Sequence, residues 1–416
     1  MARDRIIYQS ENLFTSKIDA TSSSANYKEI NRVQDMSYNL EVTRTDVNEF
    51  GQLAALSREV TDPPTVSLDF SYLITDGTQE KNLGFELNTA SDLPVSSANP
   101  MTKSLLDPTA NGSSHGVGAD ELNYYIVTSK EGTDLHSNSN INTSEHGCIA
   151  IGNGFITSYG LTASVGEFAT ASVSVEASNI LFKDGINAAF DNPAIDVASA
   201  TGSKLSNKVN FAGVKSNDGD IEVNGNEIFA IRPGDITVDF DATGYFGSKT
   251  AGDLQIGGAI LPGEGVDNTH GGKQQVHLQS VSLDIPISRT PMTKLGNHFP
   301  FARKIDFPVN MTLSASALMA DIDEGSLDQL ICGGEQKRDI AITMKDRCGN
   351  NHVITYLIRN AILDTEAFSA SIGDNKTVDL TFSAQVGGAN DSENGVFIFS
   401  RLTGAEDPDF YPTPTA

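Results

Sequence analysis

No tryptophan occurs in the 416 residues. The wide aromatic platforms on which sugar-binding β proteins often lean would have to be built from tyrosine and phenylalanine, which demotes glycan recognition without removing it. Cysteine is nearly as scarce. Cys148, Cys332 and Cys348 are too few for a disulfide framework at this length, and none sits in a CxxC pair or near a zinc-like histidine spacing. They read as reduced thiols, acting as small buried hydrophobes. Cations are few as well: 28 Lys and Arg face 54 Asp and Glu, for a formal charge of -26. The counterion release that drives ordinary nucleic-acid binding is therefore missing. Two uses of the acidity stay open. It keeps a protein soluble, or it lines a conduit whose wall offers passing phosphates no cationic stopping point. No run approaches the ~20 apolar residues of a membrane span. The start, Met1-Ala2-Arg3-Asp4-Arg5, leads into a mixed segment, so no cleaved export signal is expected.

Catalytic and metal signatures are also wanting. The seven histidines (His115, His136, His146, His270, His277, His298 and His352) lie mainly in polar, loop-like segments, and none begins an HExxH. Asp134-Leu-His136 and His146-Gly-Cys148 come nearest to a metal site but fall short of three or four convergent ligands. Asn217-Asp-Gly-Asp220 with Glu222 hints at calcium, yet its spacing does not follow the twelve-residue loop. Gly152-Asn-Gly154 lacks the third glycine of a dinucleotide loop, and neither a GxxxxGK[ST] loop nor a GxSxG elbow occurs. The expectation is no enzyme, no cofactor and no metal.

What the chain does have is a repeat. Residues 33–73 align without a gap onto 278–318 at an offset of 245, matching Gln34 with Gln279, Arg44 with Arg289, Gly51 with Gly296, Arg58 with Arg303 and Pro63 with Pro308. Residues 150–177 align in the same order onto 357–384 at an offset of 207, pairing Asn153 with Asn360 and Gly166 with Gly373. Register argues harder than identity. Met36, Tyr38, Leu40 and Val42 alternate with polar residues as Val281, Leu283, Ile285 and Ile287 do, the pattern of half-buried strands. A slip of one residue would turn every side chain to the wrong face. The first copy carries an excess between Thr75 and Asn123, where Ser91–Gly118 is rich in Ser, Asn, Gly and Pro and reads as a long surface loop. A helix is expected over Asp321–Ile331, and Ile236, Val238 and Phe240 alternate with Thr237, Asp239 and Asp241 as a strand. The fold expected is mainly β: two tandem, similar antiparallel barrels or sandwiches with few short helices. The first spans residues 1–182 with a loop insertion at 75–120. A linker follows at 183–226, the second domain at 227–400 and a tail at 401–416.

The order of an alternating strand, Arg44, Gly51, Arg58, Pro63 and the strand Val66–Tyr72, recurring as Arg289, Gly296, Arg303, Pro308 and Met311–Ala317, resembles the tail tube proteins of long-tailed bacteriophages. The strand-turn-strand Gly160–Ala177 looks like the hairpin that follows in such folds. Most of those proteins carry one domain and stack as six-membered rings around a DNA channel. The resemblance implies three double chains per ring, self-assembly with other tail proteins, and genomic DNA passing through without specific binding. It also implies a virion location after assembly in the host cytoplasm. Arg44, Arg58, Arg289 and Arg303 either bridge carboxylates across subunit contacts or snorkel over their own sheet. Asp239 and Asp241 either face the channel or belong to an ordinary solvated face. Competing readings are another duplicated virion part, such as a baseplate ring, tail terminator or capsid decoration, and a glycan-binding β-sandwich.

Overall fold

The computed structural model describes residues 11–20, 26–88, 98–107, 109–111, 115, 118, 120–129, 134–135, 141–197, 199, 202–214, 222–223, 226–227, 230–239, 254–256, 259–261, 277–318, 337–346, 352–369 and 377–400. Strands dominate, and those of the main sheet largely alternate apolar with polar residues at period two, which lets a strand bury one face. In the first half these are β1 (Glu11–Lys17), β2 (Lys28–Ile30), β3 (Val33–Glu41), β4 (Arg44–Val47), β5 (Ser57–Val60), β6 (Thr65–Leu73), β7 (Leu122–Thr128), β8 (Gly147–Ser164), β9 (Thr170–Ala177) and β10 (Asn179–Lys183). Short ladders follow: β11 (Phe190–Asp191) with β12 (Lys208–Val209), and β13 (Glu222–Val223) with β14 (Asn226–Glu227). Next come β15 (Ile236–Asp239) and the pair β16 (Leu254–Ile256) with β17 (Ala259–Leu261). The second half continues with β18 (His277–Pro286), β19 (Arg289–Met292), β20 (Ala302–Ile305), β21 (Val309–Leu318), β22 (Arg338–Lys345), β23 (His352–Ser369), β24 (Thr377–Val386) and β25 (Gly395–Ser400). The helices α1 (Thr78–Asn82) and α2 (Lys103–Leu106) are each about one turn.

The molecule is thus mainly β, as expected, but among the described residues no closed barrel forms. Eight strands join edge to edge in the order β3-β6-β9-β8-β18-β21-β24-β23, all antiparallel. The two 18-residue strands leave this sheet and enter outer layers. The first part of β8 pairs with β7 and β10, and that of β23 with β22 and β25. Each changes layer near an asparagine in the left-handed region, Asn153 (φ 55) and Asn360 (φ 56). Few non-glycine residues adopt that conformation, and asparagine tolerates it best. Side chains tie both down. Asn153 Oδ1 accepts from the Ile195 N–H (2.7 Å), and Asn360 Nδ2 donates to the Glu393 carbonyl (2.7 Å).

One continuous core lies beneath the eight-stranded sheet, including Leu68, Phe70, Tyr72, Leu161, Val173, Leu283, Leu313, Leu380 and Phe382. A smaller core covers the outer face of β1, β7 and β8, where Phe14, Tyr125, Val127 and Cys148 meet Ile186, Phe190, Val209 and Phe211. Those last four residues belong to the expected linker, whose described residues here cover that face. The stretch expected as a surface loop is also well packed over its first part. Leu83, Phe85, Leu87, Met101 and Leu105 are buried, Asn88 forms a parallel bridge to Phe399 of β25, and Ser400 Oγ donates to the Asp76 carbonyl. The expected helix over Asp321–Ile331, and Cys332, Cys348 and His136, lie outside the described residues, as does the calcium-like run apart from Glu222.

Close approach fixes the bend in β8. A Cβ on Gly152 would stand 2.3 Å from the Pro193 carbonyl atoms, with backbone rather than a pliable side chain in the way. Replacing Gly152→Ala is expected to cost about 1–3 kcal/mol through overpacking. Chemical denaturation checks this, and an unchanged midpoint would show that Pro193 moves freely.

Candidate functional site: a polar sheet face and the seam within it

Alternation gives the eight-stranded sheet a second face opposite the core. Cross-strand pairing sets its residues in rows: Asn39 beside Ser67, Ser37 beside Asp69, Asp69 beside Ser174, Ser282 beside Thr162, Asp284 beside Thr312 and Asp379 beside Ser316. Hydroxyl, amide and carboxylate side chains dominate. At the described positions of this face no lysine or arginine occurs. Asp69, Asp284 and Asp379 are exposed there, while their strand neighbours Leu68, Leu283 and Leu380 are 0–1% exposed.

The two halves of the chain meet in the middle of this sheet. β8 pairs with β18 from Ser158 opposite Pro286 to Ser164 opposite Ser280. Flanking hydrogen bonds continue the ladder, with the Val165 N–H donating to Gln279 (2.9 Å) and the Ile287 N–H to Thr157 (2.7 Å). Two arginines reach across this seam. The Arg289 guanidinium lies over the Phe155 ring, 5.1 Å from its centroid, and donates to the Ile156 carbonyl (3.2 Å). Burial pulls it down to about 10, opposed by nearby Asp120, Tyr124 and Glu121. Burial likewise raises the carboxyls of Asp120 and Glu121. Arg303 donates to the Glu176 carboxylate.

Below the seam sits a buried polar knot. Glu80 Oε1 of α1 lies within hydrogen-bond distance of the hydroxyls of Tyr72 (2.9 Å), Tyr159 (3.1 Å) and Tyr356 (3.1 Å), and Tyr159 and Tyr356 stand 2.9 Å apart; each phenol has one proton, so one of that pair donates to Glu80 and the other to its neighbour. These tyrosines belong to β6, β8 and β23, so one carboxyl from the inserted segment ties both halves. Burial raises Glu80, and it raises all three tyrosines.

Of the arginines singled out from sequence, Arg289 and Arg303 thus bridge the two halves. Arg44 is exposed on β4, and Arg58 pairs with Asp46 of its own hairpin (2.7 Å). Asp239 lies on β15, which pairs with β22 away from the eight-stranded run, and Asp241 is outside the described residues. Sequence reasoning missed Glu80 and its tyrosines. The only available signal was an acidic residue inside a stretch dismissed as loop. The β4–β5 and β19–β20 hairpins carry fully exposed apolar tips, with Phe50 at 107%, Leu53 at 108% and Leu295 at 104%. Gly51 (φ 94) and Gly296 (φ 89) make the turns.

No family model and no curated protein matches the chain. Among solved structures it is similar to the SPP1 tail tube, determined by solid-state NMR and cryo-electron microscopy. Identity is 15%, the TM-score 0.26, and the match covers 44% of this chain and 81% of that one. At that score the likeness carries no argument.

Removing the shared acceptor while leaving three buried hydroxyls is costly. Glu80→Ala is expected to lose about 3 kcal/mol, whereas Glu80→Gln, which keeps an acceptor oxygen, stays within about 1 kcal/mol of the parent at pH 7. The raised carboxyl sets the pH dependence. The folded state holds the Glu80 proton to higher pH than the unfolded chain does, so the parent loses stability relative to Glu80→Gln as pH rises from 4.5 through the folded value. Denaturation of both proteins across that window is the check, and parallel curves would contradict it.

Proposed function

We propose that this chain is a structural, non-enzymatic virion protein, the major tail tube subunit of a long-tailed phage. Three chains close a ring, and stacked rings form the conduit for DNA. The observation that carries the reading is the eight-stranded sheet with one face packed on the core and the other carrying no lysine or arginine at its own described positions. Phosphates repelled evenly along such a wall have nowhere to bind, which suits fast passage.

The ring of three rests on duplication, and the strand registers support it. Met36 pairs with Phe70 as Val281 pairs with Ala315, each ladder slipping at the matching place, Val33/Asp35 and Leu278/Ser280. Ser158 pairs with Ser174 as Thr365 pairs with Thr381, with slips at Ile156/Ser158 and Leu363/Thr365. Bulges mark local sequence demands, so their recurrence at offsets of 245 and 207 is a stronger sign of a shared ancestor fold than identity. The left-handed Asn153 and Asn360, and Gly51 and Gly296, recur likewise. On this reading the halves span 1–182 and 227–400 and alternate around the ring, giving six quasi-equivalent units. Asp69, Asp284 and Asp379 then replace Asp239 and Asp241 as channel residues. The partners are further copies and other tail proteins, in a virion assembled in the host cytoplasm.

Purified chain examined by negative-stain microscopy should give rings with three-fold or pseudo-six-fold symmetry, stacked into tubes. Monomers at every concentration and salt would overturn the reading. The bare apolar hairpin tips suit contacts between rings. Phe50→Ser combined with Leu295→Ser should leave single rings while shortening the tubes several-fold, and an unchanged length distribution would remove the hairpins from stacking.

A further inference from the structure

One stretch of the first half spends its polar contacts on the second. Residues 74–88 and 98–107 follow β6, form α1 and α2, and lie along the edge of β25 that β23 does not use. The Asn88 N–H donates to the Ile398 carbonyl (2.7 Å), the Ser400 N–H to the Asn88 carbonyl (3.1 Å) and the Met101 N–H to the Val396 carbonyl (2.8 Å). Asn88 Nδ2 adds a second bond to the Ile398 carbonyl (3.2 Å). A Cβ on Gly77 would stand 3.2 Å from Ser400 Oγ, so strap and strand are in close contact there too. The strap thus occupies donors and acceptors of a strand edge that would otherwise pair with any strand that came near.

Near the start of the strap stands Glu80, 0% exposed, with no partner at Oε2. The groups that face its carboxyl are phenols: Tyr72 from β6, Tyr159 from β8 and Tyr356 from β23. Other charged groups lie around α1 but do not bond to that carboxyl. Asp76 accepts from the Thr78 N–H (3.0 Å), and Lys81 follows Glu80 on the helix. β2 brings Lys28 and Glu29, and with His115 it meets α1 at Asn82, whose Nδ2 donates to the Glu29 carbonyl (3.0 Å) and whose own carbonyl lies 2.8 Å from His115 Nε2. An ionised Glu80 would leave charge on Oε2 with neither water nor a donor to share it. The neutral acid leaves only an unshared O–H, a much smaller cost.

We infer that the strap is a proton-held latch: with Glu80 protonated it lies closed over β25, and ionisation of Glu80 releases it and opens that strand edge. This goes beyond the tube-subunit reading and stands or falls without it. The sign follows from burial, which raises the carboxyl in the closed state, while a released Glu80 titrates near its ordinary 4.5. Closure is therefore fully favoured below pH 4.5. From there the opening constant grows roughly tenfold per pH unit up to the folded value, and is flat beyond it.

Hydrogen exchange of the full-length chain, corrected for the intrinsic rate at each pH, reads the latch directly. The Asn88 and Met101 amides report closure over β25, and the Val165 and Ile287 amides, which bond across the β8–β18 ladder, report the rest of the joint. In the parent, protection at Asn88 and Met101 should fall roughly tenfold per pH unit above 4.5 and then level off, whereas in Glu80→Gln it should stay flat. Val165 and Ile287 should keep a higher protection in both proteins. An equal fall in both, or none in the parent, would overturn the latch. A fall at Val165 and Ile287 matching that at Asn88 would overturn it as well, because Glu80 would then hold the whole molecule and not the strap. Loss of protection as pH drops would assign the switch to His115, which burial lowers to about 4, and remove Glu80 from the role. Tyr356→Phe, which keeps the carboxyl and removes the second half's hydroxyl, serves if Glu80→Gln does not fold. It should lower protection at Asn88 and Met101 several-fold at pH 4.5 with Val165 and Ile287 unchanged, and no drop would count against the latch.

Discussion

A β-strand edge is a row of unpaired donors and acceptors, and its need for a partner is the constraint on which the rest of this molecule depends. The chain answers it once internally, by setting β8 against β18 and so merging its two halves into one sheet. The other features cluster around that junction. Arg289 and Arg303 cross it, and Glu80 gathers hydroxyls from β6, β8 and β23 beneath it. A buried carboxyl is expensive to desolvate, but a linked set of tyrosine hydroxyls offsets much of that and fixes one arrangement of the halves.

Much of the sheet was legible in the sequence because period-two alternation is a local signal. Tyr38, Leu40 and Val42 announce a strand face whether or not anything covers it, and the registers of 33–73 and 278–318 could be read before any pairing was known. The structure placed Tyr38 and Leu40 on β3, yet left them much more exposed than Leu283 and Ile285. Alternation states which side is apolar, not what meets it.

Other parts were misread because their signals are not periodic. The stretch from Thr75 onward is punctuated by Gly, Asn and Ser and has no strand pattern, yet Leu83, Phe85, Leu87 and Leu105 are buried. Phe190 and Phe211 sit in an equally polar setting and close a second core. A few isolated apolar anchors suffice to pin an irregular segment on an existing sheet, and composition averages them away. Asp239 drew attention through its neighbours' alternation. The acidic residues of the eight-stranded face, such as Asp69 and Asp379, escaped notice because each stands alone among serines and threonines, and only cross-strand pairing assembles them into one surface.

The long strands β8 and β23 each run through the eight-stranded sheet and an outer layer without a break in the chain. Separate strands in separate layers could peel apart one hydrogen bond at a time. A strand common to both cannot, because a pull along its axis loads the flanking ladders in shear, so that many bonds must yield together. The turn at Asn153 and at Asn360 therefore makes each strand a mechanical tie, and an assembly of such chains would resist stretching along those strands far better than its modest core alone suggests.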